Sequence, residues 1–147
     1  MHVSFTIHRL GEWTMLLIGE SILSLVVGVA LQATRRFYVV FFSGFLSATC
    51  LSFVFYSTQP SDPDLHALRR SAQAGIIWMV AFSCYSCSLV AYGVSLKVLL
   101  AHYGDSRLAP ESGWLHCASL GCATIFVQFM RIQHSALRIN AICRQSN

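Results

Sequence analysis

The 147-residue chain is 55% hydrophobic and 11% charged, with a mean hydropathy of +0.59. Soluble domains carry about 25% charged residues and need them to cover their surface, so that class is excluded; so is a disordered chain, which pairs low hydrophobicity with high net charge. The net charge of +4 comes from Arg and Lys scattered between apolar runs, without stripes or aromatic interleaving, so no nucleic-acid partner is expected and the flanks of membrane spans account for the charge.

Four apolar runs follow in chain order, at about residues 13–31, 37–58, 75–101 and 114–134. Each reaches the ~20 residues that a helix needs to cross the hydrocarbon core. None alternates with the period of two that marks a membrane barrel. The expected fold is therefore all-α: a multi-pass transmembrane helical bundle of about four spans, forming a single membrane domain over residues 1–147. The first run resembles a signal peptide in having His8 and Arg9 ahead and Gly28 and Ala30 behind, but it is too long and holds Glu20 at its middle.

The connections are short. Gln32 to Arg36 allows only a tight return, so the first two helices should be antiparallel neighbours. Pro60 and Pro63 end the second helix, and Asp62 followed by Pro63 reads as a new helix start. From there His66, Arg69, Arg70 and Gln73 share a face, with Leu65 and Leu68 elsewhere, as in a short amphipathic segment at the interface. Gly104, Asp105, Pro110 and Gly113 mark the third connection. A slight excess of Arg beside the termini and the second connection places both ends in the cytoplasm.

Six cysteines are present, all but Cys143 inside apolar runs, which does not suit a secreted disulfide framework. Cys84 and Cys87 form a lone CxxC without a second pair, so they read as small apolar residues; no metal site and no cofactor is expected. Ser83, Cys87, Ala91 and Ser95 recur every fourth residue, as do Ser24/Gly28 and Gly44/Ala48/Ser52. Small residues at that spacing let helices approach closely in lipid, which implies a bundle.

Glu20 is the sharpest chemical feature. A carboxylate at the bilayer centre costs at least about 2.5 kcal/mol, and such residues normally face the bundle or water. It reads either as a proton or cation site or as a hydrogen-bonded carboxyl that fixes packing, with Gly19 letting another backbone approach. Arg9 shares its face, while His8 and Glu12 stand four residues apart on another; Arg9 and Glu12 are expected to pair at the interface. Thr124, Gln128, Arg131, Ser135 and Arg138 form a polar stripe on the fourth run. Arg131 is a candidate partner for Glu20, unless the span ends near it and the stripe lies in water. The candidate intramembrane polar site is thus Glu20, Arg9, Glu12, His8 and Arg131. No nucleophile elbow, phosphate loop, HExxH or paired-carboxylate pattern is present, so an enzyme is not expected.

Two segments resemble the low temperature requirement A family of multi-pass membrane proteins. In the first, His8-Arg9-Leu10-Gly11 through Leu17-Ile18-Gly19-Glu20-Ser21, the family's pattern of Glu-Arg-Phe-Gly followed by Leu-Gly-Glu-Ser is met at Arg9, Gly11, Gly19, Glu20 and Ser21. His8 replaces the family's first acid, and Glu12 restores a carboxylate one turn later. In the second, Phe53-Val54-Phe55-Tyr56 precedes His66-Ala67-Leu68-Arg69-Arg70 and a new span. There Ser57 replaces a family acid, and Phe82 and Ser83 occupy the place of a helix-borne histidine. The resemblance covers roughly Thr6 to Leu100 and matches the later part of longer family members, so the chain reads as a fragment, a truncated gene model or a half-sized relative. The family's biochemical activity is poorly defined. Transport or ion passage centred on Glu20 is the leading expectation. A structural or interaction module that packs with a second copy or a missing transmembrane half is the next, and an intramembrane enzyme acting on lipid the third.

Overall fold

The computed structural model describes residues 3–27, 35–59, 66, 68, 72–102 and 108–145, the last twelve as backbone alone. It contains four long helices: α1 (Val3–Val27), α2 (Arg35–Thr58), α3 (Ala72–Ala101) and α4 (Leu108–Gln145). Each is long and apolar enough to cross a membrane, over Ser4–Val27, Phe37–Thr58, Ala72–Ala101 and Pro110–Gln133. The chain is therefore an all-α integral membrane protein, as its composition requires. Helices are the natural choice in lipid, because each satisfies its own backbone hydrogen bonds where water is absent.

Two helices begin earlier than their apolar runs suggest. α1 starts at Val3, well before Trp13, and α4 at Leu108, before Trp114. Hydropathy detects the part of a helix in hydrocarbon, whereas the backbone stays helical through the polar headgroup layer. In α4 Pro110 sits in the first turn, where its missing N–H costs nothing, and Glu111 there complements the helix dipole. The expected helix start at Asp62 and Pro63 and the last residues of the first apolar run, 28–31, lie outside the described residues.

α3 is the hub and packs on α1, α2 and α4. Tyr56 near the end of α2 meets Gly11 near the start of α1, and Gly44 meets Leu25, so α1 and α2 are antiparallel neighbours. Ser95 meets His116, and Ile76 lies beside Phe129, which makes α3 and α4 antiparallel too.

What unites the helices is a seven-residue repeat of buried side chains. On α3, Trp78, Tyr85 and Tyr92 form one row, and Phe82, Leu89 and Leu96 a second. On α2, Phe37, Leu51 and Thr58 lie in a row with Gly44. α1 contributes Thr14 with Ser21 and Ile18 with Leu25, while α4 contributes Ser112 with Ser119 and Ala123 with Met130. A repeat of seven keeps one seam facing the neighbour, as in helices packed at about +20°.

The small-residue pattern on α3 works differently from expectation. Ser83 and Cys87 are exposed, Ala91 is half-buried and Ser95 is buried. Steps of four residues drift by about 40° each on a helix, so that set spirals from the outside inward. Gly19 is likewise no contact point: a Cβ there would meet nothing within 4 Å. Close approach occurs at Gly93, whose Cβ would lie 2.9 Å from Ser21 Oγ, and at Gly44, where it would lie 2.9 Å from Leu96 Cδ2.

Aromatic stacking joins α2 to α3. Phe55 stacks on Tyr85 with centroids 5.4 Å apart, and Trp78 stacks on Phe82 at the same separation. Gly93→Leu should therefore lower bundle stability by about 1–3 kcal/mol through overpacking. Gly19→Ala should leave it equal or higher, since alanine favours helix by up to about 1 kcal/mol. Thermal melts of the two variants in detergent check the pair; equal behaviour would contradict the packing described.

Candidate functional site

The five polar residues singled out in the sequence fall in three separate places. His8, Arg9 and Glu12 come together near the start of α1. Glu12 places Oε2 2.9 Å from Arg9 Nη1 and Oε1 3.2 Å from His8 Nδ1. The Arg9 guanidinium also lies 5.0 Å from the centroid of the Phe5 ring. All three polar side chains are exposed. Ion pairs of that kind contribute about 0–1 kcal/mol, so the cluster's effect is to set position and charge at the helix end rather than to stabilise.

Glu20 points away from the bundle. The buried seam of α1 runs through Thr14, Ile18, Ser21 and Leu25, and Glu20 lies exposed on the outer side beside Gly19. Glu20 stands about 7.5 Å beyond the midpoint of the helix Val3–Val27 and about 12 Å further along it than Glu12. Its backbone carbonyl accepts a hydrogen bond from Ser24 Oγ at 2.8 Å.

Arg131 is also exposed, as are Thr124 and Gln128, so the described part of the α4 stripe does not line an interior cavity. Ser135 and Arg138 lie outside the described side chains. Ser21 packs on Gly93, whereas Phe129 lies level with Ile76 and Ile77. Projected on α3, Glu20 and Arg131 are thus about 25 Å apart. Axial distance, more than facing, keeps the two charges from pairing within one copy.

The interior holds a polar cluster that the sequence does not announce. Tyr92 Oη donates to Gly44 O at 2.9 Å and is hydrogen-bonded to Ser47. One turn further, Ser95 Oγ lies 3.1 Å from His116 Nδ1 and 3.4 Å from Ser119 Oγ. The His116 ring packs against Tyr92 with centroids 5.2 Å apart. α2, α3 and α4 are thereby linked through hydroxyls and one imidazole at the end of the bundle where α4 begins. Ser95 stands out in sequence only as a small residue, and His116 is a lone histidine in an apolar run; their meeting depends on register between helices.

His66 is a second departure. Its sequence neighbours suggest a polar, outward face, but it is 1% exposed, with its ring 4.7 Å from that of Trp78. Its Nδ1 accepts a hydrogen bond from the Leu68 amide at 3.3 Å. Gln73 is exposed, and Arg69 and Arg70 lie outside the described residues.

Cys84 is half-buried, and Cys50, Cys87, Cys117 and Cys122 are exposed as free thiols on the outer helix faces. Among the described residues no three His, Cys, Asp or Glu side chains are placed to hold a metal ion.

Two tyrosines on α3 offer a direct check. The Tyr92 hydroxyl is fully engaged, whereas the buried Tyr85 hydroxyl makes no hydrogen bond among the described residues. Tyr92→Phe should cost about 1 kcal/mol, and Tyr85→Phe should be neutral or stabilising because it removes an unpaired buried hydroxyl. Melting temperatures of the two variants in one detergent decide this; the reverse order would contradict the interior hydrogen bonding.

The profile of the family described as Bacterial low temperature requirement A protein (LtrA) matches residues 1–144, beyond the stretch that carries the motif resemblance. Neither a curated protein nor a solved structure matches the chain.

Proposed function

The chain belongs to the bacterial low temperature requirement A family, and on that premise we propose that this integral membrane protein serves in transport, with Glu20 as a proton or cation site on the outer side of α1. The carrying observation is an ionisable side chain exposed on the outer face of an apolar span. Left against hydrocarbon, a carboxylate costs at least about 2.5 kcal/mol near the helix centre. A polar seam between α1 and another transmembrane segment, from a second copy or from further chain, removes that cost. Within such a seam the carboxylate exchanges a proton or cation with water reaching it along the helix. Gly19 beside it leaves room for the opposing segment or for water. This reading assigns no enzymatic step to the protein.

One observation favours a second reading, that of an assembly module. Glu20 on α1 and the Thr124, Gln128 and Arg131 stripe on α4 both face outward, as interhelical hydrogen-bonding groups between subunits would. Flux and association separate the two. In proteoliposomes, Glu20→Gln should reduce proton or cation flux at least about tenfold, while Glu12→Gln keeps most of it. Undiminished flux in Glu20→Gln removes Glu20 from transport. Loss of chemical cross-linking between copies in that variant, with wild-type protein that carries no flux, favours the assembly module.

A further inference from the structure

A cavity of about 460 Å³ opens between the start of α1, the end of α2 and the start of α3. Its size falls within the ~300–1,000 Å³ of small-molecule sites. We propose that it binds a neutral, single-tailed amphiphile drawn from the membrane, whose head presents an oxygen acceptor to Gln59.

The lining is graded with depth. From Ile7 to Met15 it follows α1 for about 12 Å, from the level of the exposed charges into the apolar layer. The deepest lining comes from Met15 on α1 and Phe55 on α2, which suit a hydrocarbon tail, while Trp78 sits beside His66 at the mouth. Toward the helix end come His8, Glu12, Tyr56 and Gln59. A ligand matching this lining is apolar at one end and polar at the other, and lies along the helices as lipids do.

Gln59 identifies the head. Its Nε2 is buried and makes no hydrogen bond among the described residues, although its backbone N–H donates to Tyr56 O at 3.2 Å. An unmet buried amide donor is costly, so an acceptor from a ligand is favoured there. The neighbouring polar groups are already engaged: Tyr56 Oη donates to Gly11 O at 2.9 Å, and Glu12 is held by Arg9 and His8. Since Arg9 balances Glu12 at 2.9 Å, neither an anionic nor a cationic head gains an uncommitted counter-ion. A neutral head with hydroxyl or ester oxygens fits what remains. This inference stands independently of any flux through Glu20, which lies further along α1 on its outer face.

The test uses the full chain in nanodiscs and three photoreactive probes with the same tail: a monoacylglycerol, a lysophosphatidylglycerol and an alkylamine. The monoacylglycerol should label the peptides holding Met15 and Phe55 and be displaced by unlabelled monoacylglycerol, with the charged probes labelling at least about fivefold less. Gln59→Leu, which removes the donor, and Met15→Trp, which fills space at an exposed position, should each cut that labelling about five- to tenfold while the melting temperature holds. Should either variant fail to fold, the other carries the comparison, and the ratio among probes on the wild-type chain is read in any case. Equal labelling by all three heads, or labelling that Gln59→Leu leaves unchanged, assigns the signal to the surrounding lipid and overturns the proposal.

Discussion

Helices in lipid gain little by covering hydrocarbon with hydrocarbon, so the fit between side chains must hold a bundle together. In this protein that fit depends on α3. Its column of Trp78, Phe82, Tyr85, Leu89, Tyr92 and Leu96 is almost wholly buried and touches each of the other helices. Dispersion contacts are individually small, but six large side chains supply many of them. The partners answer in the same seven-residue rhythm, with Ile18 and Leu25 on α1, Leu51 on α2 and Met130 on α4. Where two helices come closest, glycine makes the room, at Gly93 against Ser21 and at Gly44 against Leu96 and Leu25. The orientation of every other side chain follows from that seam.

Polar groups are disposed accordingly. Most hydroxyls bond to a carbonyl of their own preceding turn, as Thr14 does to Leu10 and Ser21 to Leu17, which satisfies them without any partner helix. The bonds that cross between helices are concentrated at two levels. Near the start of α1, Tyr56 ties α2 to α1; toward the opposite end, Tyr92 and His116 tie α3 to α2 and α4. At the first of these levels the interior is filled by an aromatic stack of Phe55, Phe82 and Tyr85. A continuous polar route through one copy is therefore interrupted there by aromatic packing. Glu20 lies outside the seam, exposed on the outer face of α1.

The class of fold was legible in composition, because scarcity of charge and four long apolar runs admit few alternatives in water or in lipid. The pairing of His8, Arg9 and Glu12 was legible as well, since it depends on spacing within one helix. Inter-helix register was not. The four-residue spacing of Ser83, Cys87, Ala91 and Ser95 looked like one contact face, but large residues seven apart define the seam and leave Ser83 and Cys87 outside. Gly19, read as room for another backbone beside Glu20, meets no neighbour within the bundle. His116 and Ser95 are 21 residues apart and meet across antiparallel helices, which no local pattern encodes.

The inward face of α1 is the claim on which the positions of Glu20, the cavity and the interior hydrogen bonds all rest. A pair of engineered cysteines tests it most directly. With native cysteines replaced, Ser21→Cys with Gly93→Cys should oxidise readily to a disulfide in membranes, since a Cβ at residue 93 lies 3.6 Å from that of Ser21, within the ~3.5–4.5 Å that a disulfide spans. Glu20→Cys with Gly93→Cys should remain reduced under the same oxidant. Disulfide formation by the Glu20 pair, with the Ser21 pair staying reduced, would contradict the packing of α1 and everything that follows from it.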